Sequence, residues 1–300
     1  MKWKKLGHIF SPDCQHPKLI SHAANPLAIP LENDIFRILY SGRDKNNRSS
    51  VGFVDIDISQ QKVVYSHHKP IFLHGDPSSF FSHGVSIGNS YNCKNNRFIL
   101  FMGWQIDPCE HWKGDIGRLV LQDRDFLTLT PDHPFIDCDE EDPISLSYPW
   151  VIFDQGIYKM WYGSTITWDA GNNEMIHIIK YATSADGDHW KKHGLAIPYK
   201  IGIAQAFSRP SVIVDHNGYH MWFSYRDGKG TKYRIGYSHS NDGLCWEVLP
   251  NQSGIDVSVT GWDSDMICYP FVFDHKKKRY MLYNGNDYGR AGFGLAVLEM

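Results

Sequence analysis

The sequence predicts an all-β protein, more narrowly a five-bladed β-propeller whose fifth blade is closed by the N-terminal strand. Three observations lead to this prediction. Aromatic residues make up 14% of the 300 residues, and a short sequence motif, called the repeated phrase below, recurs five times. The N-terminal segment resembles the fourth strand of another repeat, a strand that the last repeat does not contain. Aromatic residues favour β-strands, and repeats of this kind are typical of propellers and other arrays.

The repeated phrase opens the first strand of each predicted unit. Its clearest copies contain Pro149, Pro210 and Pro270, which lie about sixty residues apart. The five copies occupy residues 24–29, 82–87, 147–152, 208–213 and 268–273. We therefore expect one domain over residues 1–300, built from five units.

Each unit continues with two further strands rich in β-branched and aromatic residues, separated by a variable polar loop. The second strands are predicted at residues 36–40, 98–102, 158–162, 219–223 and 280–283, and the third at 51–54, 116–120, 178–182, 235–238 and 292–296. Two copies of Ser-x-Asp-Gly-x-x-Trp, at 184–190 and 240–246, predict a tight turn before a fourth strand. The repeating unit is thus a four-stranded blade.

The fifth unit reaches residue 300 directly after its third strand. The N-terminal residues 3–7, Trp-Lys-Lys-Leu-Gly, resemble residues 190–194, Trp-Lys-Lys-His-Gly, in the predicted fourth strand of unit three. We therefore expect a strand near Trp3 to complete the fifth blade and close the ring.

Composition argues against several classes of function. The formal net charge of −3 disfavours a nucleic-acid partner, which requires many Lys and Arg side chains. The sequence has no apolar stretch long enough for a membrane helix, and its start lacks the apolar segment of a signal peptide, so we expect a cytoplasmic protein without a membrane partner. The six cysteines form no CxxC pair, and no metal or cofactor is predicted. The oligomeric state stays open.

In a four-stranded blade, the start of the first strand and the loop between strands two and three lie on the same face, around the central opening. We expect the functional site there. The predicted ligand-binding residues are His22, Asn25, Arg43, Asp44, His83, Trp104, Tyr148, Trp168, Arg209, Arg226, Asp263, Tyr269 and Asn286. We expect residues from all five repeats to converge on one pocket.

Three carboxylates are the catalytic candidates: Asp115, Glu174 and Asp265. Asp115 and Glu174 are predicted at equivalent positions of neighbouring blades. The alternative is that they are solvated strand ends or partners of Arg118 and Lys180. Glu174 is the preferred general acid because uncharged residues flank it, and partial desolvation raises the pKa of a carboxyl group. Asp265, with Asp263, is suited to hold sugar hydroxyls or, alternatively, to cap backbone amides.

The basic and aromatic candidates also have alternative interpretations. His22 and His83 could hydrogen-bond a sugar hydroxyl, move a proton, bind a metal or be structural. Arg43, Arg209 and Arg226 could bind phosphate, carboxylate or a nucleotide-sugar diphosphate, or form ion pairs with nearby acids. Trp104 and Trp168 could stack on a sugar ring.

The blade phrases resemble those of the five-bladed propeller glycosidases. The similarity lies in Tyr-x-Met-Trp-Tyr of strand two, in Tyr-Ala-x-Ser-x-Asp-Gly-x-x-Trp, and in the closing segments 280–286 and 292–296. This group contains glycoside hydrolase families 43, 32, 62 and 68 and the family 130 mannoside phosphorylases. The resemblance covers essentially the whole chain.

The resemblance implies a carbohydrate-active enzyme that cleaves or transfers a glycosyl group, with a carbohydrate or sugar phosphate as substrate, in glycan metabolism or cell-surface glycan assembly. The furanosidase families would have acids at the first three inner strands. This sequence has Asn25-Pro26, His83-Gly84 and Ser147-Tyr148-Pro149 there, so that acid trio is missing. The alternative is a non-catalytic propeller that binds a sugar or nucleotide sugar.

Overall fold

The computed structural model describes residues 1–14, 16–106, 111–123 and 125–299. In these residues the chain forms twenty strands, beginning with β1 (Trp3–Phe10). A 3₁₀ turn at Pro250–Gln252 and a helical turn, α1 (Asn286–Gly289), complete the elements. None of the helices in the described ranges is long and apolar enough to cross a membrane.

The strands pair antiparallel in five groups of four, which we call blades 1 to 5. Blade 1 comprises β2 (Ser21–Pro30), β3 (Ile35–Arg43), β4 (Ser49–Asp57) and β5 (Lys62–Phe72). Blade 2 comprises β6 (Gly84–Cys93), β7 (Asn96–Ile106), β8 (Trp112–Gln122) and β9 (Phe126–Leu129). Blade 3 comprises β10 (Leu146–Asp154), β11 (Ile157–Thr167), β12 (Ile176–Ser184) and β13 (Lys191–Leu195).

Blade 4 comprises β14 (Ala206–Asp215), β15 (Gly218–Arg226), β16 (Arg234–Ser240) and β17 (Glu247–Val248). Blade 5 comprises β18 (Cys268–His275), β19 (Lys278–Asn284), β20 (Phe293–Leu298) and the N-terminal β1. The all-β class is therefore confirmed.

The ring closes through β1, as the sequence predicts. This strand pairs antiparallel with β20, from Trp3 opposite Leu298 to Phe10 opposite Phe293. Inside the ring, each first strand of a blade packs against the next, and β18 returns to β2. The first strands therefore surround a common axis.

The core lies between neighbouring blades and is dominated by aromatic side chains. Trp161 and Trp222, which occupy the same position of β11 and β15, are both fully buried. Their burial fits the Tyr-x-Met-Trp-Tyr phrase, in which alternate residues of a strand face the adjacent sheet.

Each first strand contains an irregularity in its pairing with the second strand. In blades 1, 3, 4 and 5 it contains a residue that immediately precedes a proline and has a positive φ: 55° for Asn25, 37° for Tyr148, 49° for Arg209 and 55° for Tyr269. A residue before proline normally adopts an extended conformation, so four left-handed ones around one axis require strong support from their surroundings.

Arg209 provides part of that support. Its guanidinium is fully buried at the axis, where Nη1 donates to the carbonyl of Tyr269 at 2.7 Å and Nη2 donates to that of Pro26 at 2.7 Å. Nη2 also lies 3.4 Å from the carbonyl of Gly88. One side chain of blade 4 thereby joins blades 5, 1 and 2.

Blade 2 departs from the predicted alignment. Val85 pairs with Gly103 as Ser147 pairs with Gly163, so the phrase in unit two begins three residues later than predicted. Ser86 therefore takes the place of Tyr148, and the prediction that His83 stands at that place is wrong. Blade 2 lacks the proline that marks the position in the other units, which explains the error.

Deleting residues 1–10 should leave the β20 edge unpaired and remove the buried Trp3 and Phe10 side chains. We expect an aggregated or strongly destabilised protein, measured by light scattering after gel filtration and by thermal unfolding. Deleting residues 1 and 2, which precede β1, is the control. A 1–10 truncation that stays monomeric with an unchanged melting temperature would refute the closure.

Replacing Arg209 with Met should leave three axial carbonyls without their donor. We expect a loss of about 3 kcal/mol or more in the free energy of unfolding, measured in urea, because buried groups stripped of their partner are costly. Arg97→Met, at a half-buried residue whose bond to Asn92 is 3.3 Å long, is the control. Equal losses in the two variants would contradict a central role for Arg209.

Candidate functional site

A cavity of about 360 Å³ opens on the axis at the face predicted to carry the site. All five blades contribute to it. We call it the funnel pocket, and it is lined by Arg43, Asn47, Ser86, Met102, Trp104, Ile106, Trp112, Ser147, Tyr148, Met175, His177, Ser208, Arg226, Tyr233, Tyr269 and Tyr288. Its volume lies within the usual range of small-molecule sites.

Tyrosines form one continuous side of the funnel pocket. The ring centroids of Tyr148 and Tyr269 lie 5.5 Å apart, those of Tyr233 and Tyr269 6.2 Å, and those of Tyr233 and Tyr288 6.0 Å. Burial raises the pKa of Tyr233 and Tyr269, so both hydroxyls stay protonated at neutral pH. The left-handed backbone at Tyr148 and Tyr269 directs these two rings to the axis.

Two indoles form the opposite side. Trp104 donates its Nε1 hydrogen to Ser49 Oγ at 3.0 Å, which fixes the ring. Trp112 is held edge-on against Trp168, with ring centroids 4.8 Å apart. Trp168 does not itself line the pocket, so its predicted contact with a sugar becomes a supporting role behind Trp112.

Arg226 is the most constrained cation of the funnel pocket. Its Nη2 donates to Glu174 Oε1 at 2.7 Å, and its guanidinium lies 4.8 Å from the centre of the Tyr233 ring. Arg43 lies on the other side of blade 5, in blade 1, and donates to the neutral Asn47 Oδ1 at 2.7 Å. The two arginines therefore approach the pocket from different blades.

His177 bonds through both ring nitrogens, with Nε2 2.6 Å from Ser147 Oγ and Nδ1 2.8 Å from Thr165 Oγ1. Burial, with a smaller effect from Arg226, lowers the pKa of His177 to about 3. Gly163 makes room for this contact, since a Cβ there would lie 2.2 Å from Ser147 Oγ. A neutral histidine of this kind orients hydroxyl groups and is a weak base.

The charged side chains that line the funnel pocket are all positive among the described residues. Its described lining contains two guanidiniums and no carboxylate. No group of three or more His, Cys, Asp and Glu side chains that could hold a metal ion occurs in the described part of the chain.

Five of the predicted site residues line the funnel pocket: Arg43, Trp104, Tyr148, Arg226 and Tyr269. The other predicted residues lie outside its lining. The expected convergence of His22, His83, Asp115, Glu174, Arg209 and Asp265 is not seen, because none of these six lines it.

The three catalytic candidates have different surroundings. Asp115 is buried and accepts from the Cys138 backbone N–H at 3.1 Å. Asp265 is half-exposed and pairs with Lys232. Only Glu174 contacts a side chain of the funnel pocket, through Arg226. The prediction that uncharged groups surround Glu174 is wrong, because the end of β15 in blade 4 brings that guanidinium to it.

The predicted equivalence of Asp115 and Glu174 is also wrong. Asp115 pairs with Gly103, and the corresponding residue opposite Gly163 is Ile179, so Glu174 precedes its strand whereas Asp115 lies within one. The loops that connect strands two and three differ in length between blades 2 and 3, which the sequence comparison did not resolve.

Several predicted ligand-binding residues instead hold the structure around the funnel pocket. Asp263 accepts from Lys5 at 2.7 Å and from Tyr283 at 3.0 Å, which links β1 to β19 within blade 5. Asn286 accepts from the backbone of Asp265, and His83 Nδ1 accepts from the backbone N–H of Ile106 at 3.2 Å.

The remaining three predicted residues lie at the start of blade 1 and its second loop. Asp44 accepts from Arg48, and the backbone of Asn25 donates to Asn284 Oδ1 at 2.9 Å. Burial, with smaller effects from Arg43 and Arg290, lowers the pKa of His22 to about 3.

The predicted site residues did not include eleven residues of the pocket wall: Asn47, Ser86, Met102, Ile106, Trp112, Ser147, Met175, His177, Ser208, Tyr233 and Tyr288. Ser86 was hidden by the shifted alignment of unit two. Tyr233 directly precedes β16, so attention to the residues before each third strand could have identified it. For His177 there was no signal, because its contacts with Ser147 and Thr165 depend on packing.

The fold is shared with glycosidase-type propellers. A solved glycoside hydrolase superposes with a TM-score of 0.77 at 12% identity, covering 99% of this chain and 91% of that one. A structure from work on the family 130 mannoside phosphorylases, which reports glycoside hydrolases that target β-1,2 mannosidic linkages in Candida mannan, gives 0.71 at 14% identity, with 99% and 93% covered. At these identities the likeness establishes the fold.

The chain belongs to the same family as two proteins of Mycobacterium tuberculosis. It is 45% identical over 301 residues, covering 100% of both chains, to Uncharacterized protein MT1551 of strain CDC 1551 and to Uncharacterized protein Rv1502 of strain H37Rv. No protein-family model matches the chain.

Acid should destabilise the protein through His22 and His177. Both have a folded-state pKa of about 3, against 6.5 when unfolded, so between these values the unfolded chain binds more protons. The free energy of unfolding should therefore fall by up to about 2 kcal/mol per histidine from pH 7 to pH 5, measured in urea.

His22→Gln and His177→Gln should each reduce this pH dependence, relative to stability at pH 7. His189→Gln is the control, since that side chain is 92% exposed. A pH dependence that both buried-site variants leave unchanged would contradict the assignment.

Proposed function

We propose that this protein is a carbohydrate-active enzyme of the glycosidase-like type, which cleaves or transfers a glycosyl group bound in the funnel pocket. The observation that carries the proposal is the aromatic pocket on the axis of the propeller. Six aromatic side chains face it: Trp104, Trp112, Tyr148, Tyr233, Tyr269 and Tyr288.

Such a lining suits a saccharide for two reasons. Aromatic faces pack against the apolar C–H faces of sugar rings. Hydroxyl groups need hydrogen-bonding partners, and the serines 86, 147 and 208 with the tyrosine hydroxyls provide them. A small number of placed polar groups in an apolar cavity is the usual basis of small-molecule specificity.

Glycosidic chemistry normally uses two carboxylates, or one acid together with an external nucleophile. Within the described lining no carboxylate is available, and Glu174 is the acid in contact with a pocket side chain. We propose that the Glu174 carboxylate is the proton-transferring group of the reaction. Its contact with Arg226 gives it a second role, which is to hold the guanidinium in place.

The second candidate is a propeller that binds a saccharide without cleaving it. The lack of carboxylates among the described residues of the wall favours this alternative. A fold shared with glycosidases does not by itself establish catalysis. Turnover separates the two candidates, whereas ligand binding alone is common to both.

Glu174→Gln should lower turnover about a hundredfold or more, the usual scale for losing general acid–base catalysis. Turnover would be measured on a panel of nitrophenyl glycosides, with and without inorganic phosphate. The melting temperature should change little, because glutamine can still accept from Arg226.

Glu247→Gln is the matched control, since that side chain is exposed on the outer strand β17. Wild-type turnover in a folded Glu174→Gln variant would remove this residue from the mechanism. Saccharide binding with no turnover of any glycoside would favour the binding propeller.

A further inference from the structure

We infer that the saccharide taken by the funnel pocket itself carries an oxyanion, either a phosphate ester or a carboxylate, which the arginines of the wall bind. The inference rests on the proposed carbohydrate function and narrows its substrate class. It follows from the charges, the unused hydrogen-bond donors and the size of the pocket.

The first argument is the charge balance of the wall. Arg43 and Arg226 face the cavity, and the lining described by the structure offers no carboxylate. Arginine is the side chain best suited to bind carboxylate and phosphate, because its planar fork can donate two parallel hydrogen bonds. A neutral sugar would leave this charge unused.

Arg226 supplies the second argument. Its Nη2 is occupied by Glu174, and its Nη1 has no hydrogen-bond acceptor among the described residues. An oxyanion of a ligand can accept from this free donor. Tyr233 against the guanidinium and Glu174 at its end hold the fork in one orientation.

Arg43 supplies the third argument. Its side-chain partner is the neutral Asn47, and it forms no ion pair with the acids in the described ranges. The nearby His22 is buried and neutral, so it does not compete for an anion. This guanidinium therefore lines the cavity without a carboxylate partner among the described residues.

A third guanidinium, that of Arg209, adds positive charge close to the tyrosine side of the pocket. Arg209 is buried beneath the tyrosine side and binds only backbone carbonyls among its described partners. Fixed charges in a poorly solvated region act over longer distances than charges in water. Three guanidiniums, of which Arg226 alone has a described carboxylate partner in Glu174, leave a net positive charge that favours an anion in this cavity.

The size and chemistry of the remaining wall show that the anion belongs to a larger molecule. A cavity of about 360 Å³ with two indoles and four phenol rings offers far more contact than a free ion can use. The aromatic wall would pack against the sugar ring while the arginines bind its anionic substituent.

Binding to a panel of hexoses tests the inference. Glucose, galactose and mannose would each be titrated calorimetrically as the neutral sugar, the 1-phosphate, the 6-phosphate and the uronate, beside inorganic phosphate alone. We expect one anionic form to bind at least tenfold more tightly than its neutral sugar and than phosphate. That form also identifies the oxyanion as an ester or a carboxylate.

The other results overturn the inference in distinguishable ways. Equal affinity for neutral and anionic forms would reject the inference and leave the proposed function intact. Binding of inorganic phosphate as tight as that of any sugar would indicate a site for the free ion. A panel with no binding sugar would reject the proposed function as well.

Variants locate the anion in the funnel pocket. Arg43→Met and Arg226→Met should each weaken binding of the anionic sugar at least tenfold, and affinity for the neutral sugar should change little. If Arg226→Met does not fold because Glu174 has lost its partner, Arg226→Lys replaces it in the binding measurement. Lysine keeps the positive charge but lacks the planar fork of the guanidinium. Arg97→Met is the control, and unchanged affinity in both pocket variants would place the anion elsewhere.

Discussion

The buried guanidinium of Arg209 is the interaction on which the centre of this molecule depends. It donates from blade 4 to carbonyls of blades 5 and 1 and approaches that of blade 2. Carbonyls that face the axis of a ring point toward one another and need a donor, because water has little access there. One charged side chain satisfies this requirement and fixes the spacing of the first strands.

The same residue links the fold to the site. Arg209, Tyr148 and Tyr269 occupy one repeat position, each left-handed before a proline. Blade 4 uses this position to hold the ring together, whereas blades 3 and 5 use it to form the tyrosine side of the cavity. A propeller that shares the fold of glycosidases has therefore placed phenol and guanidinium groups at its axis, where the resemblance to the furanosidase families would imply acids.

The sequence predicted the architecture because a repeat is averaged over five copies. Strand order, closure by β1 and the burial of Trp161 and Trp222 all follow from patterns that recur. The site depends on single residues and on loops of unequal length. The alignment of unit two was therefore shifted by three residues at His83, and Asp115 was wrongly aligned with Glu174. Contacts such as that of Glu174 with Arg226 join different blades, and a local sequence pattern cannot predict them.

The pairing of β1 with β20 also affects how the protein is made. Trp3 lies opposite Leu298, so β1 receives its partner only after the chain through Leu298 has been synthesised. Blades 1 to 4 consist of neighbouring strands and can form in sequence, as local contacts do. Until then β1 carries unpaired amides and an apolar Trp and Phe. The nascent chain would therefore have to keep this segment from pairing with other strands.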